Sequence, residues 1–334
     1  MSTDAPLILV TGASGFIGRH LAPELAARGW RVRAAVRRPV AVGVPGVAES
    51  VIVGDVGPLT DWTPALAGVS GVVHLAALAH QTDPRRQRRD DEFMAVNAAG
   101  TRRLAESARL AGGVRRLVFV SSIGAVTDVC NAPLDETSLA VPVSPYGRSK
   151  LAGEQAMQDV LQGSTVDWCV LRPVLVYGPG NPGNMGRLFR LVRTGLPLPL
   201  GGIRNRRSFA YIGNLVDAIA TVTKAPGTGG RVFNVADDEA VSTPDLIRLI
   251  ATASGRKARL WSAPPGALQF AARCGDLAGR MGVGIGLNSY SLYRLEQSLI
   301  VSNQALRQAT DWRPRSTLAA GLAATFHSEL KPRS

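Results

Sequence analysis

The feature that most constrains this chain lies near its start. Val10-Thr11-Gly12-Ala13-Ser14-Gly15-Phe16-Ile17-Gly18 sets three glycines at three-residue intervals directly after the β-branched run Leu7–Thr11. A helical stretch, Arg19–Arg28, is predicted to follow. A chain that leaves a strand, turns on glycines and enters a helix at once fits a strand–turn–helix whose backbone passes close to its neighbours. The alternation continues. Arg31–Val36, Ser50–Val53, Gly71–Leu75, Arg116–Ser121 and Val166–Pro173 read as strands, with helices over Asp90–Ala111 and Pro145–Leu161. Several of these strands are apolar on both faces, as a parallel sheet covered on each side requires. The expected fold is α/β, a doubly wound parallel sheet of Rossmann-like type with a smaller C-terminal α/β substrate lobe.

Beyond Pro173 the pattern loosens. A loop at Gly178–Gly186, a helix near Leu188–Thr194 and a Gly/Pro/Arg-rich stretch to Arg207 precede a strand at Val232–Val235 and a helix at Thr243–Ala253. The sequence therefore divides into a dinucleotide-binding domain at 1–173, to which 208–236 returns, and a substrate-binding lobe at 174–207 and 237–330. With 334 residues there is chain enough for either one large domain or two interlocked ones. A hydrophobic content of 46% excludes a disordered chain. Cys130, Cys169 and Cys274 form no C-x-x-C pair, so reduced thiols in a cytoplasm are expected rather than a disulfide scaffold. The longest run free of Asp, Glu, Lys and Arg, Trp62 to Thr82, is broken by Pro64, Gly68, Gly71, His74 and His80, so no membrane insertion is expected. The net charge of +13 comes almost wholly from arginine, the lysines being Lys150, Lys224, Lys257 and Lys331. Its densest cluster, Arg85-Arg86-Gln87-Arg88-Arg89, is compensated at once by Asp90-Asp91-Glu92 and reads as a solvated loop, not a nucleic-acid patch. No nucleic-acid partner is expected.

Glycines at the first strand–helix turn let a backbone approach a pyrophosphate, and the helix N-terminus offers free N–H groups and a positive dipole. Gly12, Ser14, Gly15, Phe16, Ile17 and Gly18 are the expected phosphate-binding residues. Their spacing is G-x-x-G-x-x-G rather than G-x-G-x-x-G, and three glycines alone could make only a structural turn. The second strand ends in Val36-Arg37-Arg38, without the acid that holds the ribose of NAD. A guanidinium there can pair with a 2′-phosphate, which favours NADP(H) over NAD(H); otherwise both arginines are simply solvated. Asp55 either accepts from an adenine amino group or caps a turn. Small residues after His74-Leu75, namely Ala76 and Ala77, let the backbone pass near a cofactor.

Tyr146 and Lys150 form Tyr-x-x-x-Lys, which puts both side chains on one face of a helix. A phenol needs a nearby ammonium to act as an acid or base near neutrality. Ser122, at the end of the preceding strand, supplies a hydroxyl that could hold the oxygen of a reacting carbonyl or carbinol. No metal site is expected.

With these motifs the chain resembles the extended short-chain dehydrogenase/reductases of the nucleotide-sugar epimerase/dehydratase superfamily. The resemblance is carried by Thr11–Gly18, Asp55, His74–Ala77, Asn97, Ser122, Tyr146/Lys150, Leu171–Gly180, Asn205–Phe209, Asn214–Ala218 and Asp311–Pro314, and it spans nearly the whole chain. It implies a catalytic set of Ser122, Tyr146 and Lys150. It implies cofactor contacts at Arg37, Asp55, Val56, Leu75, Ala76, Ala77, Asn97, Lys150 and Pro173 as well as at the glycine turn. Asn97 would support the fourth helix and an active-site water, or be only a satisfied amide at a helix kink. The substrate contacts implied are His80, Ser122, Tyr146, Asn184, Arg207 and Arg294, with Arg207 on a diphosphate; either arginine could instead be a surface ion-pair residue.

There are departures. Leu175 stands where many relatives carry Asn, Ala125-Val126 replaces an aromatic–glycine pair, and Ile123-Gly124 after Ser122 replaces the Asp-Glu of sugar 4,6-dehydratases. Residues 179–217 are most similar to bacterial UDP-N-acetylhexosamine 4-epimerases and UDP-4-keto-6-deoxyhexosamine 4-reductases, which make surface-polysaccharide precursors. The resemblance thus implies a UDP-sugar substrate and an NAD(P)(H) cofactor, with C4 reduction favoured, C4 epimerisation as the alternative, and a homodimer as the assembly considered. A non-catalytic NAD(P) sensor is a more distant alternative.

Overall fold

The structure, a computed structural model, describes residues 5–39, 43–79, 90–181, 184–280 and 289–330. His80 and the Arg85–Arg89 cluster lie outside the described residues. The chain opens with β1 (Leu7–Thr11), α1 (Phe16–Ala27), β2 (Arg31–Val36), β3 (Val47–Ile52), the short α2 (Thr63–Leu66) and β4 (Gly71–His74). A long helical stretch follows as α3 (Asp90–Phe93), a π-helical turn at Met94–Ala99, and α4 (Gly100–Leu110). Next come β5 (Arg116–Val120), β6 (Cys130–Leu134), α5 (Pro145–Leu161), β7 (Asp167–Pro173) and β8 (Leu175–Tyr177). Then follow α6 (Asn184–Arg193), β9 (Arg207–Tyr211), α7 (Ile212–Val222), β10 (Arg231–Val235), β11 (Ala240–Val241) and α8 (Thr243–Ala253). The chain ends with α9 (Pro265–Arg280), α10 (Ser289–Glu296), β12 (Leu299–Val301), α11 (Gln304–Thr310) and α12 (Leu318–Leu330).

Seven strands form the main sheet in the order β10-β7-β5-β4-β1-β2-β3, every neighbouring pair parallel. Alternate residues of one strand serve opposite layers. Ile8 and Val10 of β1 enter the core shared with α1 and α7, whereas Leu7 and Leu9 enter the core shared with α4 and α5. That is why β1 is apolar throughout. The order jumps outward from β1 in both directions, so the crevice above β1 and β4 is the switch point where open α/β sheets bind ligands.

A second sheet, β11-β9-β12-β6 with β8 beside β9, gathers strands from distant parts of the sequence. A separate core under α6, α8 and α12, including Phe189, Ile247 and Leu322, supports the C-terminal lobe.

Some boundaries differ from the sequence reading. The first helix begins at Phe16, not Arg19, because Gly15 is already its N-cap. The third strand begins at Val47, not Ser50; it is the edge strand, with Val47, Glu49 and Val51 on its half-buried face and Ala48, Ser50 and Ile52 exposed.

Candidate active site

The glycine turn is shaped by close approach. Gly12 has φ near +70°, and a Cβ there would lie 2.9 Å from the backbone nitrogen of Ala76. A Cβ at Gly18 would collide with the Gly12 carbonyl oxygen and with the Ala13 backbone. Gly12 and Gly18 therefore let the turn fold against β4 and let α1 start immediately. No side chain caps α1 at Gly15, and its first turn holds no acid. The N-terminus is left as a set of backbone donors with positive dipole, which fits a diphosphate.

At the far side of the crevice, the Arg37 guanidinium lies 3.7 Å from the Asp55 carboxylate, both well exposed. Asp55 and Val56 line an open cavity of about 450 Å³ together with Val53, Gly57 and Ala95. The turn after Asp55 is held by Thr60, whose hydroxyl accepts from Gly57 N–H at 2.9 Å and donates to the Asp55 backbone carbonyl at 3.0 Å. The Asp55 carboxylate thus faces Arg37.

Beneath Leu75, Ala76 and Ala77 runs a chain of buried hydrogen bonds. The Thr11 hydroxyl accepts from Leu75 N–H at 3.1 Å and Ala76 N–H at 3.0 Å. Its own proton then points to His74 Nδ1, 2.7 Å away. His74 Nε2 carries the ring proton and meets the Thr101 hydroxyl at 3.1 Å, and that hydroxyl donates to the Asn97 carbonyl at 2.7 Å. Each partner's valence is used once, which assigns the neutral Nε2–H tautomer. Burial, with the Lys150 charge as a lesser cause, holds the His74 pKa down to about 3. Asn97 sits in the π-helical turn, where its side chain accepts from Leu78 N–H at 2.7 Å and donates to Leu78 O at 3.0 Å and Ser149 Oγ at 2.9 Å. It thereby clamps the chain after β4 to α5.

Helix α5 carries Tyr146 and Lys150. Ser144 caps it by accepting from Gly147 N–H at 3.1 Å, and Pro145 occupies its first position, where a missing N–H costs nothing. A Cβ on Gly147 would collide with the Gly124 carbonyl, and one on Gly153 with the Asn97 carbonyl. These two glycines let α5 lie directly on the Ile123–Ala125 turn and on the π-helical turn. Ser122 and Tyr146 are thus brought together, hydrogen-bonded side chain to side chain, while Ser122 Oγ also accepts from Gly124 N–H at 3.1 Å. Burial pushes the Tyr146 phenol up to about 12 against the opposing effect of Ser122.

Lys150 is buried. Its Nζ donates to the Val120 carbonyl at 2.8 Å and lies 4.1 Å from the Phe119 ring centroid. Burial draws its pKa down to about 7, and the Glu154 carboxylate one turn along α5 counters that fall.

Glu154 anchors a group that sequence reasoning did not single out. Arg172 of β7 grips it with Nε at 3.0 Å from Oε1 and Nη2 at 2.5 Å from Oε2, and the Ser121 hydroxyl also donates to it. All three residues are buried. The available signal was Glu154 four residues after Lys150, on the same helix face. Pro173 follows Arg172 and closes β7.

Of the residues expected at the substrate, Arg207 is buried on β9 and its Nη1 donates to the Gln297 carbonyl at 3.2 Å. Asn184 opens α6 and Arg294 lies within α10, but their side chains are outside the described residues, as is His80.

A nucleotide crevice over a seven-stranded parallel sheet, flanked by a Ser–Tyr–Lys cluster, is the architecture of a dinucleotide-dependent enzyme. The description "NAD dependent epimerase/dehydratase family" matches residues 8–236, and the chain belongs to that family, as an extended short-chain dehydrogenase/reductase of the nucleotide-sugar superfamily. It is an NAD(P)-dependent enzyme.

Among curated relatives, a UDP-glucose 4-epimerase of Vibrio cholerae is 33% identical over 97% of this chain and 95% of its own length. A ceramide reductase of Caulobacter vibrioides (strain NA1000 / CB15N) is 29% identical over 98% of this chain and 92% of its own length. Among solved structures, MoeE5 in complex with UDP-glucuronic acid and NAD is 27% identical and covers 96% of this chain and 98% of its own, with a TM-score of 0.74.

Proposed function

We propose that this enzyme reduces the 4-keto group of a UDP-4-keto-6-deoxyhexosamine, in the cytoplasm, as a step toward surface-polysaccharide precursors, and that it prefers NADP(H). The observation that carries the reading is the end of β2. Its last residue is followed by Arg37 and Arg38, and the nearby acid, Asp55, comes from beyond β3 and is already faced by Arg37. A carboxylate on β2 would accept from the ribose of NAD, whereas guanidinium groups favour a 2′-phosphate. A site that selects the phosphorylated cofactor suits net reduction, because cells keep that cofactor reduced.

The roles assigned in this reading are the following. The turn at Gly12, Ser14, Gly15, Phe16, Ile17 and Gly18 holds the diphosphate. Asp55 and Val56 border the adenine, and Leu75, Ala76, Ala77, Asn97 and Pro173 line the path to the reacting end. When bound, the cofactor supplies the hydride. Tyr146, protonated at neutral pH with its phenol near 12, gives its proton to the carbonyl oxygen. Ser122, already bonded to that phenol, holds the oxygen as its charge grows. Lys150 fixes the ribose and stabilises the phenolate left behind. Arg207 meets the diphosphate of the nucleotide sugar, with 174–207 and 237–330 forming the lobe that carries the substrate.

Purified enzyme should consume NADPH stoichiometrically with a 4-keto substrate, and Arg37→Asp should shift preference toward NADH. A second reading, C4 epimerisation of a UDP-hexose or UDP-N-acetylhexosamine, is favoured by the Vibrio cholerae relative, a UDP-glucose 4-epimerase. Tightly held NAD in the purified protein, with interconversion of two UDP-hexosamines and no added cofactor, would establish that reading and exclude net reduction.

A further inference from the structure

The C-terminal lobe concentrates the chain's positive charge. From Trp168 to Val216, and again from Leu246 to Gly275, the sequence contains no Asp or Glu, against a net charge of +13 for the whole chain. The fold brings these two segments together. Leu198 bridges to Leu260 and Leu200 to Ser262, and α6 packs on α8. Arg190, Arg193, Arg256, Lys257 and Arg259 are exposed on the segments so joined.

The chain that follows the basic run carries uncovered apolar groups. Trp261, two residues after Arg259, is 51% exposed. Four residues later α9 begins. Its inner face sets Leu268 and Ala272 into the lobe core. Its outer face sets Ala267, Phe270, Ala271, Cys274 and Leu277 in the open, at the spacing of one helical stripe, with Phe270 70% and Leu277 58% exposed. Arg273 is exposed on the same helix; the α9 acid, Asp276, is occupied by Ser289, which donates to it from both its hydroxyl, at 2.5 Å, and its backbone N–H, at 3.2 Å.

A helix apolar on both sides, beside an exposed tryptophan and two joined segments that carry no acid, matches one kind of partner. We infer that the outer face of α9, with Trp261 and the Arg256–Arg259 run, docks the enzyme on an anionic phospholipid surface. Phe270 and Leu277 would enter the headgroup boundary, Trp261 would sit at the interface, and the cations would face lipid phosphates. The charge is what selects this occupant. A second copy of the chain would bring an equally basic face against this one, and the repulsion would oppose association. No described helix is long and apolar enough to cross a membrane, so the attachment is peripheral.

The test is sedimentation of the full chain with vesicles of phosphatidylcholine alone and of phosphatidylcholine with phosphatidylglycerol. The protein should partition onto the anionic vesicles only, and high salt should weaken the binding. Arg256→Ala/Lys257→Ala/Arg259→Ala should lower the partition coefficient roughly a hundredfold, at about fivefold per cation. Phe270→Gln/Leu277→Gln should lower it roughly tenfold or more, with unchanged melting temperature and cofactor binding. A blue shift of tryptophan emission on the vesicles should vanish in Trp261→Phe. The triple-cation variant lies on a surface loop, so it remains informative if the α9 variant fails to fold. Absence of binding to anionic vesicles, or equal binding to neutral ones, overturns the proposal. It also falls if Phe270→Gln/Leu277→Gln converts a dimer to monomer while vesicle binding persists, or if short duplex DNA binds where vesicles do not.

Discussion

The surroundings of Lys150 and the outer face of α9 treat side chains in opposite ways. Around Lys150, groups that ordinarily seek water are buried and answered one by one: Lys150 by the Val120 carbonyl, Glu154 by Arg172 and Ser121, His74 by Thr11 and Thr101. On α9, groups that ordinarily avoid water are left outside. The first arrangement fixes geometry, because a buried polar atom without its partner costs more than its bond contributes. The second fixes nothing within the chain. The contrast teaches that the site's precision is held from inside the N-terminal half, and that substitutions there should be severe while those on the outer face of α9 leave folding alone.

The most severe is at the reacting oxygen. Tyr146→Phe should lower kcat by ~10²–10⁴-fold, because a positioned acid–base group contributes that much, while cofactor affinity stays near that of the parent. Steady-state rates paired with calorimetric titration of the dinucleotide check it. Turnover within tenfold of the parent would remove Tyr146 from the chemistry.

Behind it, Arg172→Met leaves Glu154 buried without its ion-pair partner, with the Ser121 hydroxyl as its remaining direct bond. Breaking one side of a buried ion pair costs roughly 3–5 kcal/mol. Urea unfolding should show a loss of that size, and Glu154→Gln on top of Arg172→Met should recover part of it. If the single and double variants are equally stable, the pair is not coupled.

The pH dependence of stability carries a definite sign for Lys150. Its folded pKa is depressed to about 7 from an ordinary 10.5, so its contribution is present above about 10.5 and is lost as pH falls toward 7. Below that the contribution no longer changes. Lys150→Met has no such limb. In the unliganded protein its stability advantage over the parent should therefore be greatest near pH 7 and shrink as pH rises toward 10. A difference that is flat with pH would mean that Lys150 stays fully charged in the folded state.

Much of this was legible in the sequence, and what was missed has physical causes. Strands β1 and β2 and helices α5 and α8 lie where composition and periodicity put them, since each is bounded by clear turn or capping residues. Helix α7 was not read because nearly every residue in it is buried and its polar stripe, Asn214, Asp217 and Thr221, meets Asp237 and Arg28 instead of water, so it does not look like a solvent face. The Ser–Tyr–Lys set could be read from residue type and spacing. The Glu154–Arg172 pair could not, because a buried ion pair and a solvated one use the same letters. The Thr11–His74–Thr101 chain joins residues 63 and 27 positions apart, which only the sheet order brings together. The edge strand β3 was shortened at its start because its exposed alternate residues resemble a loop.

Arg207→Ala tests the boundary between the two regions. A charge-assisted hydrogen bond is worth roughly 1.5–3 kcal/mol, so removing it should weaken a UDP-sugar about tenfold to a hundredfold while cofactor affinity changes little. Equal losses for both ligands in calorimetry would make Arg207 a structural tie to Gln297 instead.

The smallest effect divides the regions most cleanly. Ser144 and Ser242 are matched N-caps. Each precedes a proline within the first turn, and each hydroxyl accepts a backbone N–H, from Gly147 at 3.1 Å and from Asp245 at 3.2 Å. Replacing either by alanine should cost about 1 kcal/mol of stability, because a first-turn N–H loses its acceptor in both; Ser242 also gives up an exposed bond to the Asp245 carboxylate at 2.6 Å. Their functional consequences should differ. Ser144 holds the first turn of α5, where Tyr146 must meet Ser122 and where Gly147 already touches the Gly124 carbonyl, so any loosening displaces the phenol. Ser242 holds α8, whose apolar face packs into the lobe core away from that cluster. Ser144→Ala should therefore lower kcat several-fold, and Ser242→Ala should leave it unchanged at the same loss of stability. Thermal melts matched with rates measured well below both transitions would separate the two. Equal rates for the matched pair would mean that the tyrosine is positioned by its deeper neighbours alone, through Asn97, Ser149 and Lys150, and not by the cap of its own helix.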